Sequence, residues 1–311
     1  MIPATRGLLR VCYAALAASV SIGLAGCEQQ SGVVAKEHVN DYSWLELSEI
    51  AGMIAGCLSD DDALSMAVRY HLAADDGRLD GLQEKEVELA DGRVVHAVVA
   101  GFNHDDRADG SKAGITFLFR DAVASRWMND DAGNLVLSEE SEVNTIGGWA
   151  ASEAREWLNG TFANQLPVDL KECIVSTEKA GISVPQMRIQ AVDLESQFAE
   201  QVPQTMLQTA GDILWLPSVS ELSNLEEARG GSDTFAPWDS LLALEGNQYK
   251  LFIDTPDYLE RRADTMPHGS ACWLRTPTAT SFATVSAEGK VDRHYEEAAS
   301  QALGMMPGFC V

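Results

Sequence analysis

Residues 84–102 read EKEVELADGRVVHAVVAGF, and the fold class follows from them. Val87 and Leu89 alternate with charged neighbours, the two-residue period of a half-buried strand. Asp91-Gly92 is a type I′ hairpin signal, and Val94 to Phe102 reads as the returning strand. Next along the chain, Ile115 to Phe119 (ITFLF) is a continuous apolar run, the pattern of a strand covered on both faces.

Before this stretch the period is helical. Ser43 and Glu46 form a capping box, followed by Leu47, Ile50, Ala51, Ile54 and Leu58 at helical spacing. Ser59 opens a second helix, striped by Leu64, Ala67, Val68, His71 and Leu72. Asp60, Asp61 and Asp62 stand in its first turn, where the helix dipole favours them, so they read as a helix start and not as a metal site. The two form a helical hairpin ending at Asp75-Asp76-Gly77.

After the strands, Ser152 to Asn159 predicts a helix burying Trp157 and Leu158 and stopped by Asn159-Gly160. A short helix with Leu170, Ile174 and Val175 follows Leu166-Pro167, and residues 181–211 read as a long irregular connection. Ile213 to Leu216 is strand-like, and Ser218 with Glu221 caps a helix after Pro217. Tyr249 to Ile253, Ala271 to Arg275 and Phe282 to Ser286 are short strand candidates, and residues 308–311 predict a closing strand. Early helices and late short strands indicate an α+β fold.

The N-terminus predicts an address. Arg6 and Arg10 precede an apolar run from Val11 to Leu24, too short to span a bilayer and suited to a signal-peptide core. The run ends Leu24-Ala25-Gly26-Cys27, a lipobox pattern, with Cys27 the lipid-attachment residue. Acyl chains at one sulfur would hold the protein to a membrane without a spanning helix. The expected organisation is a signal peptide at 1–26, a tether at 27–42, the hairpin at 43–80 and an α+β domain at 84–311. The expected location is extracytoplasmic, lipid-anchored to the bacterial cell membrane.

Across 311 residues the formal charge is −25, and loss of residues 1–26 removes two arginines and no acid, leaving −27. A chain this acidic repels phosphate backbones, which argues against nucleic acid as a partner. With 46% hydrophobic residues the chain has material for a core and is not a generic disordered polymer.

Beyond Cys12 and Cys27 four cysteines remain, Cys57, Cys173, Cys272 and Cys310, with no CxxC and no histidine at ligand spacing, so zinc is not indicated. They are read either as disulfides, with Cys272–Cys310 the preferred pair, or as free buried thiols.

His104-Asp105-Asp106 with Asp109-Gly110 invites a calcium reading. Arg107 occupies a ligand position and no bidentate glutamate stands at the twelfth, so a solvated acidic loop is expected instead. No Gly-x-Ser-x-Gly elbow and no glycine-rich phosphate loop before a helix occur. No cofactor and no metal are implied, and no catalytic set emerges. His268 and His294 are loop residues able to face a ligand, whereas His71 and His96 lie on predicted elements. Arg275 is expected to spend its five donors on loop carbonyls, or alternatively on an anion at the mouth of the loops. Trp215 and Trp273 read as core. Trp238, beside Asp239 in a loop, is the exposed aromatic suited to stacking on a sugar.

The second half resembles a known family. Gly148-Trp149-Ala150-Ala151-Ser152, Arg155-Glu156-Trp157-Leu158-Asn159 and Phe162 are similar to its "GGW..S..R.WLN..F" segment. Residues 213–218 (ILWLPS) resemble its "lwLPS..E" junction, Trp273 to Pro277 its "WLRSP", and Gly304 to Cys310 its closing "GV.PgfC". In order and spacing, residues 84–311 resemble the domain of unknown function 6273, found in bacterial surface and secreted proteins. The resemblance implies a fold akin to C-type lectins and formylglycine-generating enzymes: a small twisted antiparallel sheet, flanking helices and long ordered loops. Many relatives carry an arginine where this chain has Met306, which puts any contact of that arginine in doubt here. Neither calcium-dependent sugar binding nor formylglycine-generating chemistry is expected. The lectin triplets Glu-Pro-Asn and Gln-Pro-Asp are missing, and Cys272 and Cys310 both sit in strand motifs.

The function expected from these readings is non-enzymatic binding of a glycan or a surface protein by loops at 229–248 and 276–283. The alternatives are an extracytoplasmic enzyme of unrecognised class acting on cell-wall or glycan material, and a purely structural module.

Overall fold

The hairpin forms where its caps place it. α1 (Trp44–Ala55) begins at Ser43, whose Oγ accepts the Glu46 N–H at 3.2 Å while Glu46 Oε2 accepts the Ser43 N–H at 2.7 Å. α2 (Asp60–Arg69) begins at Ser59, with the three aspartates in its first turn, and a positive φ of 54° at His71 follows its end. These and the following elements come from a computed structural model that describes residues 32–130, 147–183, 207–225, 242–263, 271–278, 281–293 and 299–311. Cys27 and its leader lie outside the described residues.

β1 (Glu84–Glu88) and β2 (Val94–Phe102) pair antiparallel with Glu84 opposite Val98 and Glu88 opposite Val94. Their turn is not type I′. Leu89 O accepts the Gly92 N–H at 2.9 Å, Leu89 N–H donates to Arg93 O at 2.8 Å, and φ is positive at Gly92 but not at Asp91. That is a three-residue loop, a type I turn closed by a left-handed glycine, and it spares Asp91 the strained conformation that type I′ demands.

β3 (Ile115–Phe119) is buried along its whole length, as its apolar run predicts. It lies between β2 and β11 (Gly308–Cys310), so the first sheet has the order β1-β2-β3-β11. The second sheet has the order β4 (Ala124–Arg126), β10 (Leu303–Met305), β7 (Cys272–Pro277), β8 (Phe282–Val285), β9 (Val291–Asp292). Its β10–β7 contact is parallel and the rest are antiparallel. Only Met306 and Pro307 separate β10 from β11, so the C-terminal motif is the seam that passes the chain from one sheet to the other.

Three further expectations on elements are corrected. The ends of the stretch read as irregular are strands: β5 (Thr177–Ile182) and β6 (Leu207–Asp212) pair over six positions. Tyr249 to Ile253 is not a strand, because Lys250–Asp254 is helical. Among the described residues the remaining α-helices are α3 (Glu153–Trp157), α4 (Val168–Cys173), α5 (Val219–Leu222), α6 (Lys250–Asp254) and α7 (Tyr258–Ala263). Asn159-Gly160 does not stop α3. The chain widens into a π-helical turn over Leu158–Phe162 and continues as a 3-10 turn over Ala163–Gln165.

One apolar cluster joins the hairpin to both sheets, taking Leu47 and Ile50 from α1, Phe117 and Phe119 from β3, and Trp273 and Phe282 from the second sheet. Trp44 of α1 packs edge-on against Phe117 and Phe309, at 5.5 and 5.7 Å between ring centres. At Gly114 a Cβ would fall 1.9 Å from Ala51 O, so only glycine lets the start of β3 reach the α1 backbone. Among the described residues, no helix is long and apolar enough to cross a membrane.

The preferred Cys272–Cys310 disulfide is not formed. Among the described residues, Cys57, Cys173, Cys272 and Cys310 form no disulfide. Cys272 lies in the second sheet and Cys310 in the first, and Cys310 Sγ instead meets Thr116 Oγ1 and Asp105 Oδ2, each at 3.4 Å. Cys173, Cys272 and Cys310 are buried as small core side chains, the other reading of the sequence, and Cys57 is half-buried.

Candidate functional site

The sequence motifs converge on buried polar groups. Trp149, held at its turn by a left-handed Gly148 (φ 58°), donates its indole N–H to Asp212 Oδ2 at 2.8 Å. Arg155 Nε donates to Asp212 Oδ1 at 2.6 Å. Asn159 accepts the N–H groups of Ile213 and Leu214 at 2.9 and 3.2 Å and donates to Leu214 O at 2.8 Å. These side chains fasten β6 and the segment after it to α3 and the π-helical turn. Trp215 then forms a bridge to Gly308 of β11.

Behind that segment sits a cluster of charges that water does not reach. Asp105, Lys179, Glu221, Glu245 and Arg275 are each no more than 5% exposed. Arg275 forks onto Glu221, its Nη2 donating to Oε1 at 3.0 Å and its Nη1 to Oε2. Its other donors reach Leu216 O at 3.0 Å, Ala180 O at 3.2 Å and Glu245 O. The expected engagement of Arg275 with carbonyls is thus observed, with a carboxylate added. Glu221 is also the capping glutamate of α5, accepting the Ser218 N–H at 2.9 Å. Glu245 accepts the Ile182 N–H at 3.1 Å and the Thr276 hydroxyl.

The sequence reading missed the other half of the cluster. Asp105 was expected in a solvated loop. Instead it is buried, in contact with Lys179 Nζ and accepting the Thr116 hydroxyl at 2.7 Å. Lys179 Nζ also donates to Glu221 Oε1 at 3.2 Å and Tyr249 OH at 3.0 Å, and it lies 3.9 Å from the centre of the Trp215 ring. His104 forms the outer edge: its Nδ1 is 3.4 Å from Asp105 Oδ1 and its Nε2 is 3.0 Å from Asn247 O. The loss of water is compensated by pairing, as a buried charge requires.

The charge states follow from the partners. Burial by itself would raise the Asp105 carboxyl, but Lys179 and then His104 outweigh it and hold the group well below the usual carboxylate range. Burial likewise pushes Glu221 up, and Arg275 and Lys179 reverse it. For Glu245 and Asp212 burial prevails over the nearby cations, and both are raised. Tyr249 and Cys310 are pushed well above their ordinary values, chiefly by burial, and stay protonated.

This arrangement organises loops. Arg275 and Thr276 of β7 are bonded to Glu245, so the roots of the segments at 229–248 and 276–283 are tied to each other. Thr278 and Ser281 exchange further bonds at the second root, at 2.8 and 2.9 Å. Trp215 and Trp273 are core residues, as expected. Trp238, His268 and His294 lie outside the described residues. Among the described residues, no group of three or more His, Cys, Asp or Glu side chains is placed to hold a metal ion. An open cavity of about 420 Å³ lies elsewhere, between the hairpin's exit and α6–α7, lined by Asp76, Arg78, Asp80, Asp254, Asp257 and Arg261 among others. Its carboxylates are occupied: Asp76 accepts Arg78 N–H, Asp80 accepts Leu82 N–H, Asp254 accepts Leu79 N–H, and Asp257 pairs with Arg261.

A comparison with family models matches residues 113–311 to the domain of unknown function DUF6273. No curated protein and no solved structure matches the chain.

Proposed function

The chain belongs to the DUF6273 family, and from that footing we propose that it is a membrane-anchored extracytoplasmic lipoprotein whose lectin-like module binds a glycan or a protein without catalysis. The observation that carries this reading is the clamp on two loop roots. The charged residues of the family motifs are spent on one another and on backbone carbonyls. A rigid polar core that presents long loops is the usual division of labour in a binding module, where scaffold and recognition are separate. An antiparallel four-stranded sheet, a five-stranded sheet with one parallel contact, and short helices are consistent with the C-type-lectin-like architecture that the resemblance implies. The ligand zone proposed is 229–248 with 276–283. Trp238 is proposed as its stacking residue, with His268 and His294 as further candidate contacts. The lipobox at Cys27 supplies the anchor, and the polar segment after it the tether.

The test is retention of the chain from residue 28 onward on arrayed glycans, peptidoglycan and surface glycoproteins. Binding to one class, lost in Trp238→Ala at unchanged melting temperature, is the expected result. Failure to retain any of them overturns the binding reading. Independently, acyl labelling and membrane fractionation should both be lost in Cys27→Ala.

A further inference from the structure

Lys179 and Asp105 are set against each other as reactants. The Lys179 amine touches the Asp105 carboxyl at Oδ1, with the two side chains only 2% and 4% exposed. Glu221 Oε1 stands 3.2 Å from the same nitrogen, where it can take a proton. The far oxygen of the carboxyl, Oδ2, faces two donors, the Thr116 hydroxyl at 2.7 Å and the Cys310 thiol at 3.4 Å. The near oxygen faces His104 Nδ1 at 3.4 Å. Trp215 and Tyr249 wall the amine on its other sides.

The neighbouring pairs lack this chemistry. In Arg275–Glu221 and Arg155–Asp212 the cation is a guanidinium, which keeps its proton and does not act as a nucleophile. Lys85 is buried too, but its ammonium meets the carbonyls of Asn40 and Tyr42 and the Trp44 ring, and no described carboxylate forms an ion pair with it. Lys179 is a water-excluded amine held on a carboxyl, with a second carboxylate within reach. Such fixed contact replaces the collision that an amine and an acid would need in solution.

We propose that Lys179 and Asp105 condense into an intramolecular isopeptide bond, with Glu221 and His104 as the proton relays. Glu221 takes a proton from the Lys179 ammonium, and the freed Nζ lone pair attacks Asp105 Cγ. Charge gathers on Oδ2, where Thr116 and Cys310 donate to it, as in other oxyanion sites. Glu221 passes the first proton on to Oδ1. The attacking nitrogen gives up a second proton that reaches the same oxygen with His104 Nδ1, 3.4 Å from it, restored as the shuttle. The Cγ–Oδ1 bond breaks, and water leaves. Of the three ammonium protons one stays on the new amide and two depart with the oxygen. Nothing is oxidised or reduced, and no cofactor enters. The product ties the loop after β2 to β5 across 74 positions of sequence, a covalent closure of the kind that disulfides supply elsewhere. The described cysteines of this chain form none. The idea is independent of ligand binding, and either can fail alone.

The test is tryptic peptide mass analysis of the purified wild-type chain. An isopeptide blocks cleavage after Lys179, so residues 94–107 should appear joined to residues 172–188 as one branched species, lighter by one water than the two peptides together. Lys179→Arg keeps the ion pair but should yield only linear peptides, and its denatured form should migrate more slowly on gels. Recovery of wild-type residues 94–107 and 172–179 as separate linear peptides, with no branched species, overturns the proposal. So does a water deficit that maps only to a succinimide at Asp91-Gly92 or Asp109-Gly110.

Discussion

Asn159 works with both ends of its amide, accepting two backbone N–H groups and donating to the Leu214 and Arg155 carbonyls. Removing it leaves those groups facing the core, and Leu214 is fully buried. Asn159→Ala should therefore lower unfolding free energy by about 3 kcal/mol, the combined cost of several orphaned buried polar groups. The expected readout is a lower denaturant midpoint at unchanged slope. Asn159→Asp should not restore the wild type, since it replaces a donor with an oxygen against Leu214 O. At this scale the sequence was legible where a motif was recognised, and Arg275 is the example. Asp105 and Lys179 were not legible. Asp105 stands among His104, Asp106, Arg107 and Asp109, which reads as solvated surface. Lys179 sits between Glu178 and Ala180, and nothing local says that its side of β5 faces inward. The available signal was the alternation Thr177, Lys179, Gly181 on one strand face, visible only once β5 is known to be a strand.

Capping boxes were the most legible elements, because their geometry is complete within four residues. Ser43–Glu46 and Ser218–Glu221 both form as read. The first also carries a pH dependence. Lys36 Nζ bonds Glu46 Oε2 at 2.6 Å, and that bond, with the Ser43 N–H, lowers the Glu46 carboxyl from 4.5 to about 2. A folded value below the unfolded one means that the stabilisation is whole above 4.5 and is lost as pH falls through about 2. The stability gap between wild type and Glu46→Gln should accordingly shrink on acidification across that window, measured by thermal unfolding at a series of pH values. A constant gap would show that the carboxylate charge contributes nothing. Tyr249 to Ile253 shows where element reading fails: a five-residue segment with four apolar residues fits either period. The helix prevails because Leu251 and Phe252 share a buried face, while Lys250 and Asp254 meet one turn apart at 3.0 Å.

At the scale of the whole molecule the sequence separated a hairpin at 43–80 from a domain at 84–311, and the family match begins later still, at residue 113. Packing ignores both borders. β2 lies between β1 and β3, so a chain starting at 113 would leave β3, buried along its whole length in the full chain, as an open edge unpaired on one side. The hairpin covers the opposite need: Trp44 rests on Phe117 and Phe309, and α1 meets the β3 start at Gly114. Composition and period could not reveal this, because a helix stripe reports that a face is buried and not what buries it. If the apolar cluster is one cooperative unit, residues 32–311 should unfold in a single transition, with far-UV and tryptophan signals coinciding. Residues 113–311 alone should show no cooperative transition and should associate through the bared β3 edge, and residues 84–311 should aggregate through the surface left by Trp44. Two separable transitions in the longer chain, or a monomeric cooperative fold of the shorter one, would mean that the hairpin and the first two strands are accessories to a core that stands without them.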